Sequence, residues 1–180
     1  IAEVLEPMQR HFAEHLGPLV LEFQAIGRRE AFTGEQFIES LDRFLGALPT
    51  SARYAVELRN AEFLTPAYFA VLRDHGVAHV FNSWSRMPDL PTQTAIADAY
   101  TAGFTVTRAL LRRGRMYEEA VKKFEPYREM QEPLPETRDA LRALIQKSLG
   151  ERKMSYIFVN NRLEGNAPGT IEAVVDSLDL

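Results

Sequence analysis

Glu57 and Arg59 stand two residues apart in the stretch RYAVELR, residues 53–59. In an extended strand that spacing places both side chains on one side. A carboxylate there works as general acid or base once burial raises its pKa, and a guanidinium orients an anionic or hydroxylated substrate through forked donors. The structural alternative is an ion pair that holds the fold and meets no ligand. The same alternation groups Val20, Glu22 and Gln24 in LVLEFQ, adding a second carboxylate and an amide. In YIFVNN, Asn160 is in register with Tyr156 and Phe158, and Asn161 with Ile157 and Val159. Two adjacent amides offer donors and acceptors without charge, which suits sugar hydroxyls, amides or base edges. They equally suit an amide clamp on loose backbone groups at a strand end.

Further candidates follow other apolar runs. Asn82 and Trp84 supply a polar contact and a stacking face, with core or lid packing the equal alternative for a lone tryptophan. Arg108, Arg112, Arg113 and Arg115 form the one basic cluster, suited to an anion through convergent charge-assisted bonds. A solvated loop is the plainer reading for all but Arg108, which lies within an apolar run. Gly165 and Asn166 open a helix whose N-terminal N–H groups face outward, as every helix start does.

Several chemistries are disfavoured. The chain has no cysteine, so thiol catalysis, disulfides and thiolate zinc sites are excluded. His11 and His15 share a helical face, but no further ligand stands near them, so no metal site is assigned. Glu57 with Glu22 offers oxygen ligands of the kind magnesium takes. There is no Gly-x-Ser-x-Gly turn, no Gly-Lys-Ser phosphate loop and no Gly-x-Gly-x-x-Gly turn. No pattern identifies a cofactor. The net charge of −4 argues against broad attraction to nucleic acid or anionic membrane. No apolar run approaches the roughly 18 residues of a spanning helix, which predicts a soluble chain, and the lack of cysteine is the ground for expecting a cytoplasmic location.

The elements that must carry these residues alternate. Strands are predicted over residues 19–24, 54–59, 77–82, 104–109 and 154–160. Helices are predicted between them, the first closing at Gly17-Pro18. Thr33 with Gln36 has the form of a capping box, and Phe37, Leu41, Phe44, Leu45 and Leu48 recur at helical spacing up to Pro49. Thr65-Pro66 starts a helix that stops at His75-Gly76. A short helix is expected over 94–100, two longer ones over 117–130 and 136–149, and a last one capped by Asn166 with Ile171, Val174, Val175 and Leu178 on one face. Short apolar strands alternating with helices predict an α/β fold with a parallel sheet, either doubly wound or a TIM-like (β/α) barrel. The missing dinucleotide turn favours the barrel, whose ligands bind at strand C-termini, where the polar residues gather.

The chain also resembles a family, the domain of unknown function 72 or YecE-like proteins. The likeness rests on residues 19–24 after Gly17-Pro18, on YAVELRN, DHGVAHV and RALLRRGR, and above all on YIFVNNRLEGNAPGT. It implies a TIM-like barrel with a pocket at its C-terminal face and no established reaction. The family's Gly- and Trp-rich first strand motif has no counterpart here, and Arg112-Arg113 stand where family members often carry a histidine before Gly-Arg. With Ile1 as first residue, the expectation is a single domain, residues 1–180, holding the last five β/α units of an incomplete barrel. A missing N-terminal portion or a partner chain would then complete it.

The functional expectation is a binding site for a small polar or anionic ligand (sugar, phosphate or nucleotide derivative). Glu57 and Arg59 are its catalytic candidates. Glu22, Gln24, Asn82, Trp84, Arg108, Asn160, Asn161 and Asn166 are its ligand-binding candidates. The alternatives are a barrel that binds or processes nucleic acid, through the arginines at 108–115, and a non-catalytic interaction module.

Overall fold

The computed structural model describes residues 1–27 and 33–178. Five parallel strands stand in the order in which they occur in the chain: β1 (Leu19–Glu22), β2 (Tyr54–Glu57), β3 (Ala78–Ser83), β4 (Phe104–Ala109) and β5 (Met154–Val159). Every neighbouring pair is parallel. Parallel neighbours need a crossover, and helices supply it. α1 (Ala2–Phe12) precedes β1, α2 (Gly34–Gly46) joins β1 to β2, and α3 (Pro66–Asp74) joins β2 to β3. The short α4 (Leu90–Thr94) precedes β4. α5 (Tyr117–Phe124) and α6 (Pro135–Gly150) lead to β5, and α7 (Asn161–Glu164) and α8 (Ala167–Val175) follow it.

Local chemistry accounts for the helix starts. The Thr33 hydroxyl accepts from the Gln36 amide at 3.2 Å while the Gln36 side chain accepts from the Thr33 amide at 2.9 Å, closing the capping box. The Thr65 hydroxyl accepts from the Tyr68 amide, and Pro66 occupies the first turn, where no N–H is missed. Several boundaries differ from expectation: β1 ends at Glu22 rather than at 24, and β2 at Glu57 rather than at 59. Asp89 caps a helix at Leu90, four residues earlier than predicted, because its carboxylate accepts from the Thr92 amide at 3.0 Å. α5 stops at Phe124 rather than running to 130, because Pro126 has no N–H to continue the ladder. α7 was not foreseen at all. It is a single turn started by Asn160 and stopped at Gly165, whose φ is +111°.

The sheet has two apolar sides. On one, Tyr54, Val56, Leu58 and Phe81 join Phe37, Leu41, Leu72, Leu141 and Leu144 of the helices in the main core. On the other, Ala55, Ala78, Val80, Phe104 and Val106 form a smaller cluster against which Val20 and Tyr156 pack. Strand alternation puts Glu22, Glu57 and Arg108 on that second side, one step further toward the strand C-termini. Met154 and Phe158 of β5 share it and stay exposed, at 60% and 49%. In the last helix Val174 is buried, while Ile171 and Val175 on the same face are exposed. No helix among the described residues is long and apolar enough to cross a membrane.

Candidate functional site

Register brings the charged residues together. Glu22 and Glu57 are partners across β1 and β2, and Asn82 and Arg108 are partners across β3 and β4. Arg59 follows the end of β2 and keeps the sidedness of Glu57. The result is a four-membered cluster of alternating charge. One nitrogen of Arg59, Nη2, lies 2.8 Å from Glu57 Oε1 and 3.1 Å from Glu22 Oε1. On the other flank, Arg108 Nη1 donates to Glu22 Oε2 at 2.8 Å and also to Glu57 Oε2. Both carboxylates therefore bridge the same two guanidiniums.

The two carboxylates differ in environment. Glu57 is fully buried, whereas the Glu22 side chain is 40% exposed. Burial pushes the Glu57 carboxyl above the ordinary value of 4.5, with Arg59 and Arg108 pulling the other way. For Glu22 a smaller burial penalty is overcome by the hydrogen bond from Arg108 and by the charge of Arg59, so its carboxyl falls below 4.5. Arg108 is raised: its partial burial is outweighed by its bonds to Glu22 and Glu57.

Arg59 is held from a third side. Its guanidinium lies 4.1 Å from the centre of the Trp84 ring, a cation–π contact that occupies the face predicted to stack on a ligand. Arg59 is only 8% exposed, and its Nη1 has no hydrogen-bond partner among the described residues. The Asn82 side chain is buried. Its amide donates to the Leu58 carbonyl at 2.8 Å, and its Oδ1 is likewise unpartnered among the described residues. Gln24 lies past the end of β1 and is exposed.

The three asparagines near the end of β5 are engaged in capping. Asn160 Oδ1 accepts from the Arg162 amide at 3.0 Å, and Asn161 Oδ1 accepts from the Ala167 amide at 2.8 Å. Asn166 Oδ1 accepts from the Gly169 amide at 2.7 Å while its Nδ2 donates to the Tyr127 carbonyl at 2.8 Å. Their side-chain oxygens thus start helices, the plainer of the two readings open from sequence. The basic cluster is also partly spoken for. Arg115 lies 2.6 Å and Arg112 3.9 Å from Glu132, which Lys123 meets as well.

Several residues that shape the site are not conspicuous in the sequence. Asn60 clasps the segment after β1 by accepting from the Ile26 amide at 2.8 Å and donating to the Ile26 carbonyl at 3.1 Å. Gln93 does the same for β3: its Nε2 donates to the Asn82 carbonyl at 2.6 Å and its Oε1 accepts from the Asn82 amide at 3.1 Å. The signal for both was burial of an amide, which local patterning does not reveal. Behind β3, His79 is 1% exposed among the rings of Tyr68, Phe69 and Phe81, with Nδ1 3.1 Å from the Tyr68 hydroxyl. Burial holds its pKa down at about 3. Among the described residues no group of three or more His, Cys, Asp or Glu side chains is arranged to hold a metal ion.

Helix-joined parallel strands with a charged cluster at their C-terminal ends define an α/β protein. The chain belongs to the DUF72 family, described as proteins of unknown function, whose profile matches residues 1–180. It is similar in structure to a DUF72 family protein from Thermotoga maritima, with 19% identity and a TM-score of 0.68, over 99% of this chain and 63% of that one. A DUF72 family protein from Enterococcus faecalis gives 16% identity and a TM-score of 0.60, over 99% and 65%. The chain thus spans slightly less than two-thirds of the length of either structure, and at these identities the likeness shows the fold alone. No curated protein matches the chain significantly.

Proposed function

We propose that the cluster at the strand ends binds a small polar or anionic ligand, a sugar, phosphate or nucleotide derivative, with Glu57 as general acid or base. The observation that carries this reading is the split between two carboxylates on one pair of arginines. The buried Glu57 is driven toward its neutral form, and the half-exposed Glu22 toward its charged form. Such a separation assigns roles: Glu57 exchanges a proton, while Glu22 stays an anion. Arg59 and Arg108 orient the ligand, and the unpartnered Asn82 Oδ1 and Arg59 Nη1 are capacity that a ligand or water takes up.

The test is a ligand-stabilisation screen followed by turnover of any hit with Glu57→Gln, which preserves shape and removes the titratable proton. Loss of turnover by about a hundredfold or more in a variant that keeps the wild-type circular dichroism supports the role; undiminished turnover removes it. The nucleic-acid reading is weaker, because Glu132 meets Arg112, Arg115 and Lys123.

The same proposal includes a TIM-like barrel of which this chain supplies five β/α units. β1 pairs only with β2 and β5 only with β4 among the described residues, so both edges of the sheet stand open. The exposed Met154 and Phe158 on the inner side, and the extra length of both structural relatives, support strands that close the gap between β5 and β1. Radical footprinting of a longer family chain should find Met154 and Phe158 protected; full reactivity there speaks against closure.

A further inference from the structure

The two carboxylates of the cluster make the same contacts from different positions. Glu57 is sealed, whereas Glu22 is the last residue of β1, at the strand C-termini, and among the described residues its side chain is the more exposed of the two. Its oxygens are divided, Oε1 to Arg59 at 3.1 Å and Oε2 to Arg108 at 2.8 Å. That is how a free carboxylate would bridge two guanidiniums from outside.

We propose that Glu22 is an internal stand-in for the carboxylate of a small organic acid, which binds by displacing the Glu22 side chain from Arg59 and Arg108. The inference rests on the reading of this cluster as a ligand site and narrows its ligand to the carboxylate class. Three observations support it. The first is charge: with Glu22 in place two arginines face two glutamates, whereas with Glu22 turned away the two guanidiniums keep only the buried Glu57 and the cluster loses one negative charge. An incoming anion restores the balance.

The second is preorganisation. Arg59 is fixed by Glu57 and by the Trp84 ring, and Arg108 also keeps its bond to Glu57, so the pair persists when Glu22 leaves. The third is that displacement requires only side-chain rotation. The backbone beyond Glu22 is pinned independently, by Phe23 N donating to the Glu57 carbonyl at 2.9 Å and by the Asn60 clasp on Ile26. Glu22 then sets selectivity as an internal competitor: weak anions fail to displace it, and a ligand with additional contacts to the site succeeds.

The experiment titrates acetate, and separately inorganic phosphate, into the purified protein and its Glu22→Gln, Glu22→Asp and Glu22→Gln/Arg108→Met variants by calorimetry, with circular dichroism as the check on folding. Removing the competitor should tighten acetate binding about tenfold or more in Glu22→Gln. The shortened Glu22→Asp should give a smaller gain, and Arg108→Met should abolish it. If Glu22→Gln does not fold, the gain in Glu22→Asp decides the question. Acetate affinity unchanged in the folded variants overturns the displacement, and tightening for phosphate without acetate overturns the carboxylate assignment. If acetate is unaffected while a screened ligand still depends on Glu57, the displacement alone fails. If wild type and variants bind no ligand at all, the site reading fails with it.

Discussion

Arg108 on β4 and Glu22 on β1 lie 86 residues apart in the chain and 2.8 Å apart in space. Two intervening strands separate them, so the contact exists because Arg108 reaches across the side of the sheet that carries Glu57, to which it also donates. The pair is half-open to solvent, and its strength is therefore limited. A double-mutant cycle of Glu22→Gln and Arg108→Met, read by urea denaturation, should give a coupling of about 1 kcal/mol. A coupling near zero would show that the bridge is not maintained in solution.

His79 makes acid stability predictable in sign. Its folded pKa is about 3 against an ordinary 6.5, so below 6.5 the unfolded chain takes up a proton that the folded chain refuses. Stability from this group is present above pH 6.5 and is lost progressively as pH falls through 3, by about 5 kcal/mol in all. Urea midpoints measured across that range should fall more steeply for the wild type than for His79→Gln. Parallel curves would mean that the imidazole is not held neutral.

Gly165 ends α7 at φ +111°, a conformation that side chains rarely adopt. A Cβ there would also stand 2.9 Å from the Glu129 carbonyl oxygen and 3.0 Å from the Gln131 amide nitrogen, both backbone atoms that cannot rotate aside. Gly165→Ala should cost about 2–3 kcal/mol by thermal or urea denaturation. A loss below about 0.5 kcal/mol would contradict this geometry.

Glu164, fully buried beside it, gathers the elements after β4. It accepts from Arg138 Nε at 3.0 Å and Nη2 at 2.8 Å, from the Thr170 hydroxyl at 2.7 Å and from the Leu134 amide. Glu164→Ala strands the guanidinium of Arg138 and should destabilise by about 3–5 kcal/mol. Asn166→Ala removes one cap and one donor bond and should cost about 1–2 kcal/mol. The ordering of these two losses in chemical denaturation is the check.

Much of the architecture could be read from short-range pattern. Thr33 and Thr65 cap as expected because a cap is a contact over three residues, and β4 matches its predicted bounds of 104–109 because an apolar run ends where the strand does. Position on one side of the sheet was equally legible for Glu57, Arg59 and Glu22, since alternation is a property of each strand alone. The asparagines were harder. Asn160, Asn161 and Asn166 were identified as polar groups at a strand end, but a side-chain amide has the same formula whether it caps a helix or meets a ligand.

The sequence by itself determined the alternation of strands and helices, the helix starts at Thr33, Thr65 and Asn166, and the side of each strand on which charge lies, because all three depend on neighbours within a few residues. Only the tertiary structure decided that Glu22 and Glu57 share Arg59 and Arg108, that Trp84 lies against Arg59, and that Asn60, Gln93 and Glu164 work as buried clasps. Those relations depend on sheet order and register, and on which polar groups are shut away from water. Burial also separates two carboxylates of identical chemistry, shifting the half-exposed Glu22 toward its charged form and the sealed Glu57 toward its neutral form.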